Sequence, residues 1–153
     1  MPDDNRIPPT EMSKPLSGTS LASKILDVFV MSHVITATSF AGLMLTYPDF
    51  FSYFVLQPDD FTALTSDSIR WACPFVFGFA GLAGLSLYMP PMIRRQLAIL
   101  FMGAFTLAVI VGFSVQTTGR WNEYHPLNIA LFASLAIAYG FFAFFYKQAF
   151  IRA

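Results

Sequence analysis

Long apolar runs, separated by short polar or proline-containing breaks, dominate the pattern along the chain. Four of these runs approach the length of a membrane-spanning helix, which is about 20 residues at about 1.5 Å of rise per residue across about 30 Å of hydrocarbon. Helices in the core of a soluble protein rarely stay apolar on every face over such a length. The pattern therefore predicts an all-α integral membrane protein, a four-helix bundle with transmembrane spans at residues 25–46, 69–89, 93–115 and 126–146.

Prolines mark several of the ends of these spans. Pro48 and Pro58 interrupt the chain between the first two spans, and Pro90 with Pro91 closes the second. Proline cannot continue a helix, but Pro126 suits the first turn of the fourth span, where no backbone N–H is needed. The breaks predict a polar N-terminal tail at 1–22, a transmembrane domain at 23–147 and a short basic C-terminal tail at 148–153.

The basic residues fall mainly on one side of this arrangement. With the N-terminus on the cytoplasmic or equivalent side, seven of the nine Lys and Arg residues lie inside, and Arg70 and Arg120 lie outside. Lys and Arg in short loops favour the cytoplasmic side. We therefore expect both termini inside, in a bacterial inner membrane or an organelle membrane.

The composition excludes several other classes of protein. Only 12% of the residues are charged and the mean hydropathy is +0.58, whereas a soluble domain has about 25% charged residues. The formal net charge is zero, so no strong field attracts a nucleic acid. The single cysteine, Cys73, excludes an internal disulfide framework and a multi-cysteine metal site.

Small residues predict how the spans pack, because close approach of helices drives association in lipid. The second span offers Ala80, Gly81 and Gly84, and the fourth offers Ser134 between two alanines at four-residue spacing. We expect the first, second and fourth spans to pack tightly, and the third to present more surface to lipid or to a partner.

Two ionisable residues, Asp27 and His33, lie within the first span. Such residues are functional candidates by default. Asp27 follows Lys24 by one turn, so its plain interpretation is an ion pair at the membrane interface. His33 lies deeper; it is predicted either to hydrogen-bond a Ser, Thr or Tyr of a neighbouring helix, or to act as a proton-transfer group or an axial ligand of haem or chlorophyll.

A polar cluster, RWNEYHPLN, opens the fourth span. It is either a hydrogen-bonded turn or a lipid-headgroup or small-ligand site formed by Arg120, Glu123, His125 and Asn128. In the predicted topology His33 and His125 lie about 15–20 Å apart along the membrane normal. One haem iron cannot be bound by both.

Other chemistry-bearing patterns are few. The sequence contains no Ser/His/Asp triad, phosphate-binding loop or redox cysteine pair, so we predict neither a catalytic residue nor a metal site. Its 18 phenylalanines suit lipid-facing surfaces. They also suit stacking against a quinone, a carotenoid or a chlorophyll.

Three short segments resemble the DoxX-like small four-helix membrane proteins, over roughly residues 26–146. They are YPDFF after the first span, the sequence DSIR before the second and PPMIRRQ before the third. The resemblance implies the four-helix membrane fold. It implies no activity and carries no catalytic residue to this chain.

These observations predict a non-catalytic accessory subunit of a larger, energy-converting membrane complex, surrounded by lipids and other membrane subunits. One alternative is a lipid- or quinone-interacting enzyme or transporter that uses His33 or the polar cluster at 120–128. Another is a pigment- or haem-binding protein that uses His33.

Overall fold

Helices make up almost all of the structure, a computed structural model that describes residues 21–52, 62–116 and 125–150. In chain order they are α1 (Leu21–Thr46), α2 (Pro48–Ser52), α3 (Ala63–Ser86), α4 (Pro91–Gln116) and α5 (His125–Gly140). A π-helical turn (Phe141–Phe145) and a short 3-10 helix (Lys147–Phe150) follow α5. Four helices, namely α1, α3, α4 and α5 with its π-helical extension, are long and apolar enough to cross a membrane. The prediction of four spans is confirmed, while the side on which each end lies stays a prediction.

The start of α3 shows how local chemistry shifts a helix boundary. The helix begins at Ala63 rather than at residue 69. Thr62 and Thr65 form a capping box in which the Thr62 hydroxyl accepts a bond from the Thr65 N–H at 3.3 Å. The Thr65 hydroxyl accepts one from the Thr62 N–H at 3.4 Å. A capping box satisfies backbone donors that a helix start leaves open, so the polar residues before the apolar run are already helical.

The spans pair as two hairpins, α1 with α3 and α4 with α5. The third span, α4, therefore packs as closely against its partner as the first span does. The expectation that the third span is the loosely packed one is wrong. The reason lies in which of its two glycines meets another helix. Gly112 is buried against α5, whereas Gly103 faces open space.

Small residues form the contact between α1 and α3. Ala80 is 2% exposed, and a Cβ atom on Gly84 would meet Val34 of α1 at 3.8 Å. The Cys73 thiol donates a hydrogen bond to the carbonyl of Ala41 at 3.2 Å. Ala80 is therefore buried, and Gly84 lies against Val34 of α1.

Gly81 and Ser134 do not lie between helices. Both are exposed, and no atom lies within 4 Å of a Cβ placed on Gly81. The Ser134 hydroxyl donates to the Leu131 carbonyl of its own helix at 2.7 Å. Successive helical residues point about 100° apart, so the neighbour of a buried Ala80 faces outward. The packing roles predicted for Gly81 and Ser134 are therefore corrected.

Two glycines allow α4 and α5 to approach closely. A Cβ on Gly112 would lie 2.8 Å from Cγ1 of Ile129, and one on Gly140 would lie 2.9 Å from Sδ of Met102. Both distances are shorter than carbon and sulfur atoms tolerate, so glycine is required unless the partner moves. The side chain of Met102 is flexible and can move, whereas that of Ile129 is branched at Cβ and stiff.

We expect Gly112→Ala to destabilise the protein by about 1–3 kcal/mol, the typical effect of overpacking. The matched control is Gly103→Ala on the same helix, where no atom lies within 4 Å of the added Cβ. That control should be neutral or stabilising by up to about 1 kcal/mol, because alanine favours helix more than glycine does. Thermal unfolding of both variants in one detergent measures the difference. Equal stability of the two variants would contradict the close α4–α5 contact.

The larger cluster of buried residues lies at the end of the bundle where α1 begins and α5 ends, called here the tail end, and a smaller cluster of Ala41, Met44 and Cys73 lies in the other half. The 3-10 helix returns across this end, and its Ala149 and Phe150 are buried against Leu26 and Val30 of α1. The segment predicted as a C-terminal tail from residue 148 is thus part of the core up to Phe150. The other half of the bundle, toward Thr46 and His125, is less tightly filled.

Candidate functional site

A cavity of about 430 Å³ separates the two hairpins in the half of the bundle away from the tail end. All four spans contribute to its walls, which are almost entirely apolar. From α1 and α3 the lining residues are Phe29, Ser32, His33, Thr36, Ala37, Phe40, Met44, Val76 and Phe79; from α4 and α5 they are Phe105, Asn128, Leu131, Phe132 and Leu135.

The cavity is partly open beside α1. The backbones of α1 and α5 hardly approach one another. Ser32 and Thr36, one turn apart on α1, line the cavity and are exposed. In a membrane-spanning bundle such a side opening faces the lipid, so a lipid-soluble molecule can enter without crossing water.

His33 forms the polar point at the base of the cavity. It is 7% exposed, and its Nδ1 atom lies 2.6 Å from the hydroxyl oxygen of Tyr139 on α5. The imidazole meets the ring of Phe105 edge-on, with ring centroids 5.3 Å apart. Nε2, the other ring nitrogen, has no hydrogen bond among the described residues, so it is the atom that can reach a ligand.

Tyr139 is held in place by aromatic rings on all sides. The residue is 2% exposed. Its ring meets Phe29 edge-on at a centroid distance of 5.0 Å and lies tilted against Phe101 at 5.2 Å. Because this phenol is held in place, its hydrogen bond also positions His33. The two side chains bridge α1 and α5, whose backbones stay apart. Sequence reasoning predicted a hydroxyl partner for His33 but did not name Tyr139.

A buried ion pair lies between the tail end and this site. Arg94 of α4 is 3% exposed and its Nη2 atom donates to the carboxylate of Asp27 on α1. The side chain of Asp27 is 33% exposed, so the pair reaches the edge of the bundle. Asp27 was predicted to pair with Lys24 at the interface; the partner that the structure gives it is Arg94.

Arg94 has hydrogen-bonding capacity left over. Its Nε and Nη1 atoms are buried and have no hydrogen-bond partner within the part of the chain that the structure describes. The structure thus holds two polar pairs that each join α1 to another helix, Asp27 with Arg94 of α4 and His33 with Tyr139 of α5.

The adjacent Arg95 has a structural role. Its Nε atom donates a 2.8 Å hydrogen bond to the Ala143 carbonyl in the π-helical turn. Carbonyls at the end of a helix lack partners within it, so this bond stabilises the turn that follows Tyr139. Arg94 and Arg95 occupy different faces of α4, one toward the α1 carboxylate and the other toward α5.

The polar cluster predicted at 120–128 is only partly described. Arg120 and Glu123 lie outside the described residues. His125 is 7% exposed, and its Nε2 atom is 3.4 Å from the Gly112 carbonyl. Asn128 lines the cavity. The structure therefore places His125 at the α4–α5 contact and Asn128 in the same cavity as His33.

The two histidines lie far apart along the length of the bundle. His33 contacts Tyr139, and Tyr139 is about 21 Å along the helix axis from His125 at 1.5 Å per residue. One ligand atom cannot contact both imidazoles. In the described ranges no group of three or more His, Cys, Asp or Glu side chains is placed to hold a metal ion.

Comparison with known proteins gives no match: no protein-family model, curated protein or solved structure is similar to this chain at a significant level. The resemblance to the DoxX-like proteins thus stays a prediction.

Proposed function

We propose that the protein binds a lipid-soluble ring compound of the quinone class in the cavity between its two hairpins. The observation that carries the proposal is the combination of aromatic walls with one buried imidazole, His33, at the base. Ligand sites typically pair an apolar lining of about 300–1,000 Å³ with a few placed polar groups.

The walls suit a flat ring. Phe79, Phe105 and Phe132 line the cavity from three different spans. The rings of Phe105 and Phe132 are stacked, with centroids 6.0 Å apart and an interplanar angle of 16°. Aromatic rings gain about 0.5–1.5 kcal/mol per stacked or edge-on pair beyond simple burial, so an aromatic or quinonoid ring gains more here than an alkyl chain does.

The polar atoms suit a ring that carries oxygen. Nε2 of His33 is the ring nitrogen left after Nδ1 has paired with Tyr139. A ring oxygen at the base hydrogen-bonds to this nitrogen, while an isoprenoid tail leaves through the opening beside α1. The sideways opening supports entry of a ligand that is dissolved in the bilayer.

The test is binding of a short-chain ubiquinone to the purified protein in nanodiscs. Quenching of the intrinsic protein fluorescence measures the binding. We expect saturable binding to the wild-type protein. In His33→Gln the affinity should fall about tenfold, because the loss of one hydrogen bond costs about 1.4 kcal/mol. His125→Gln is the matched comparison, because that imidazole lies outside the cavity lining. Binding lost in His125→Gln but retained in His33→Gln would move the site to the polar cluster at 120–128.

A haem or pigment site is the second candidate, favoured by one observation. Histidines that bind metals commonly donate their other ring N–H to a fixed partner, and Nδ1 of His33 has such a partner in Tyr139. An absorbance spectrum of protein purified from native membranes separates the candidates. A Soret or chlorophyll band that is present in the wild-type protein and disappears in His33→Gln favours the pigment. A wild-type spectrum without such a band favours the quinone.

Membership in a larger membrane complex is proposed alongside ligand binding. Its support is the small size of the chain and the lack of a catalytic motif in the sequence. Purification from native membranes in mild detergent tests it. Co-elution with other chains at fixed stoichiometry is expected, and a stable, isolated monomer would contradict it.

A further inference from the structure

Thr36 is a second polar residue on the face of α1 that lines the cavity. Five of the lining residues follow one another along this helix at intervals of three or four positions, namely Phe29, His33, Thr36, Phe40 and Met44. Residues at this spacing share one face of a helix. Thr36 therefore lies in the middle of the lining face, directly after His33.

The hydroxyl of Thr36 is available to a ligand. A threonine in a helix can donate to a carbonyl of its own helix, and Thr46 and Thr106 do so at 2.8 Å to the carbonyl four residues earlier. Thr36 makes no such bond, nor any other hydrogen bond among the described residues, and it is exposed on the open side of the cavity. A hydroxyl rotates to suit its partner, so a ligand oxygen in the cavity can accept from it.

The other polar lining residues are less well placed beside His33. Ser32 precedes His33 in the sequence and so projects about 100° away from it around the helix, whereas Thr36 projects about 60° away. Asn128 is about 16 Å along α5 from Tyr139, the residue that His33 contacts, at 1.5 Å per residue. One ring cannot span that distance. Thr36 is thus the polar side chain that can share a ring with His33.

The spacing of His33 and Thr36 limits which ring oxygens they can contact together. Residues three apart on a helix have Cβ atoms about 5–6 Å apart, so the two side chains meet a ligand from the same wall of the cavity. The two carbonyls of a 1,4-quinone point in opposite directions from the ring. Oxygens on adjacent ring carbons point to the same side, and neighbouring side chains can reach both.

We propose that the cavity prefers quinones that carry an alkoxy oxygen on the ring carbon next to a carbonyl, and that Thr36 determines this preference. One hydrogen bond joins the carbonyl oxygen to Nε2 of His33, and the Thr36 hydroxyl donates the other to the alkoxy oxygen. The inference rests on the function proposed above. A quinone with methyl groups in place of the alkoxy groups keeps the first hydrogen bond and loses the second.

The test compares the affinities of wild type and Thr36→Val for decylubiquinone and decylplastoquinone in nanodiscs, measured by fluorescence quenching. Both probes carry a decyl tail, and only decylubiquinone has methoxy groups beside its carbonyls. Valine removes the hydroxyl and keeps the branched shape. We expect Thr36→Val to bind decylubiquinone about fivefold more weakly, the effect of one hydrogen bond. Its affinity for decylplastoquinone should stay that of the wild type.

Three further variants serve as controls. Thr38 lies on the opposite face of α1, is exposed and is not part of the lining, so Thr38→Val should keep the wild-type ratio of the two affinities. Thr36→Ser retains the hydroxyl and should also keep that ratio. His33→Gln should weaken both probes alike, because both carry the carbonyl.

The outcomes separate this inference from the proposed function. An unchanged ratio in Thr36→Val, or equal weakening of both probes there, would overturn the role of Thr36 while the proposed function stands. Binding of neither probe to the wild type would refute both. If Thr36→Val does not fold, Thr36→Ala removes the same hydroxyl and must produce the same change in the ratio.

Discussion

Replacing Asp27 by alanine is expected to destabilise the bundle by about 3–5 kcal/mol, the usual effect of removing one partner from a buried ion pair. Arg94 is 3% exposed and its charge would then have no compensating carboxylate within the described part of the chain. Desolvated charge is costly in a protein interior and more so within a membrane. Unfolding in mixed SDS micelles measures the change.

The chain offers a matched control for this ion pair. Asp67 and Arg70 pair at 3.5 Å on the surface of α3, with side chains 65% and 49% exposed. Asp67→Ala should change stability by less than about 1 kcal/mol, as exposed ion pairs do. The double variant Asp27→Leu/Arg94→Met should recover most of the stability, because well-packed apolar groups often replace a buried pair without loss. Equal effects of Asp27→Ala and Asp67→Ala would contradict the burial of Arg94.

Filling the cavity is expected to weaken quinone binding by on the order of 100-fold, since each 1.4 kcal/mol of lost contact is tenfold in affinity. Ala37→Trp places an indole in the space that the ligand ring would occupy, because Ala37 lines the cavity. The folded state should lose little stability, because the indole enters a space that no side chain fills. Ubiquinone titration in nanodiscs, together with thermal unfolding, separates the two effects.

Thr38→Trp is the control for the cavity-filling variant. Thr38 is the next residue on α1, is exposed, and is not part of the cavity lining. The same indole there should leave ubiquinone affinity unchanged. Equal loss of affinity in both variants would indicate a general effect of tryptophan on α1 rather than occupation of the site.

The existence of the spans was predictable because it depends on a property summed over many residues. Hydropathy over about 20 positions determines whether a helix is stable in lipid, and no single contact changes it. Helix ends depend on individual side chains. The Thr62–Thr65 capping box extends α3 beyond the apolar run, and such boundaries need local chemistry rather than hydropathy.

The pairing of the spans was not predictable from small residues alone. All four spans contain them, and only their rotation about the helix axis decides which ones meet another helix. Gly81 and Ser134 face outward, whereas Gly112 and Gly140 lie at the α4–α5 contact. The relevant signal is a small residue opposite a large one across two helices, such as Gly112 opposite Ile129, and one sequence does not show which residues are opposite.

The site was half predictable. His33 stands out because ionisable residues are rare in spans. Arg94 was counted with Arg95 among the basic residues of the inner side, although adjacent helical residues face different directions and, of the two, Arg94 is the buried one. Tyr139 was hidden among the many aromatic residues of the fourth span. Its only distinguishing property is contact with His33, which is a fact of tertiary structure.

Photoaffinity labelling with an azido-quinone in nanodiscs tests the central claim most directly. Labelled peptides should come from α1, between residues 29 and 44, and from α5, between residues 128 and 135, and excess unlabelled ubiquinone should abolish the labelling. Both segments line the cavity. Labelling that falls on exposed residues of α4 such as Leu107 and Phe113, and that unlabelled ubiquinone does not reduce, would contradict a binding site between the two hairpins.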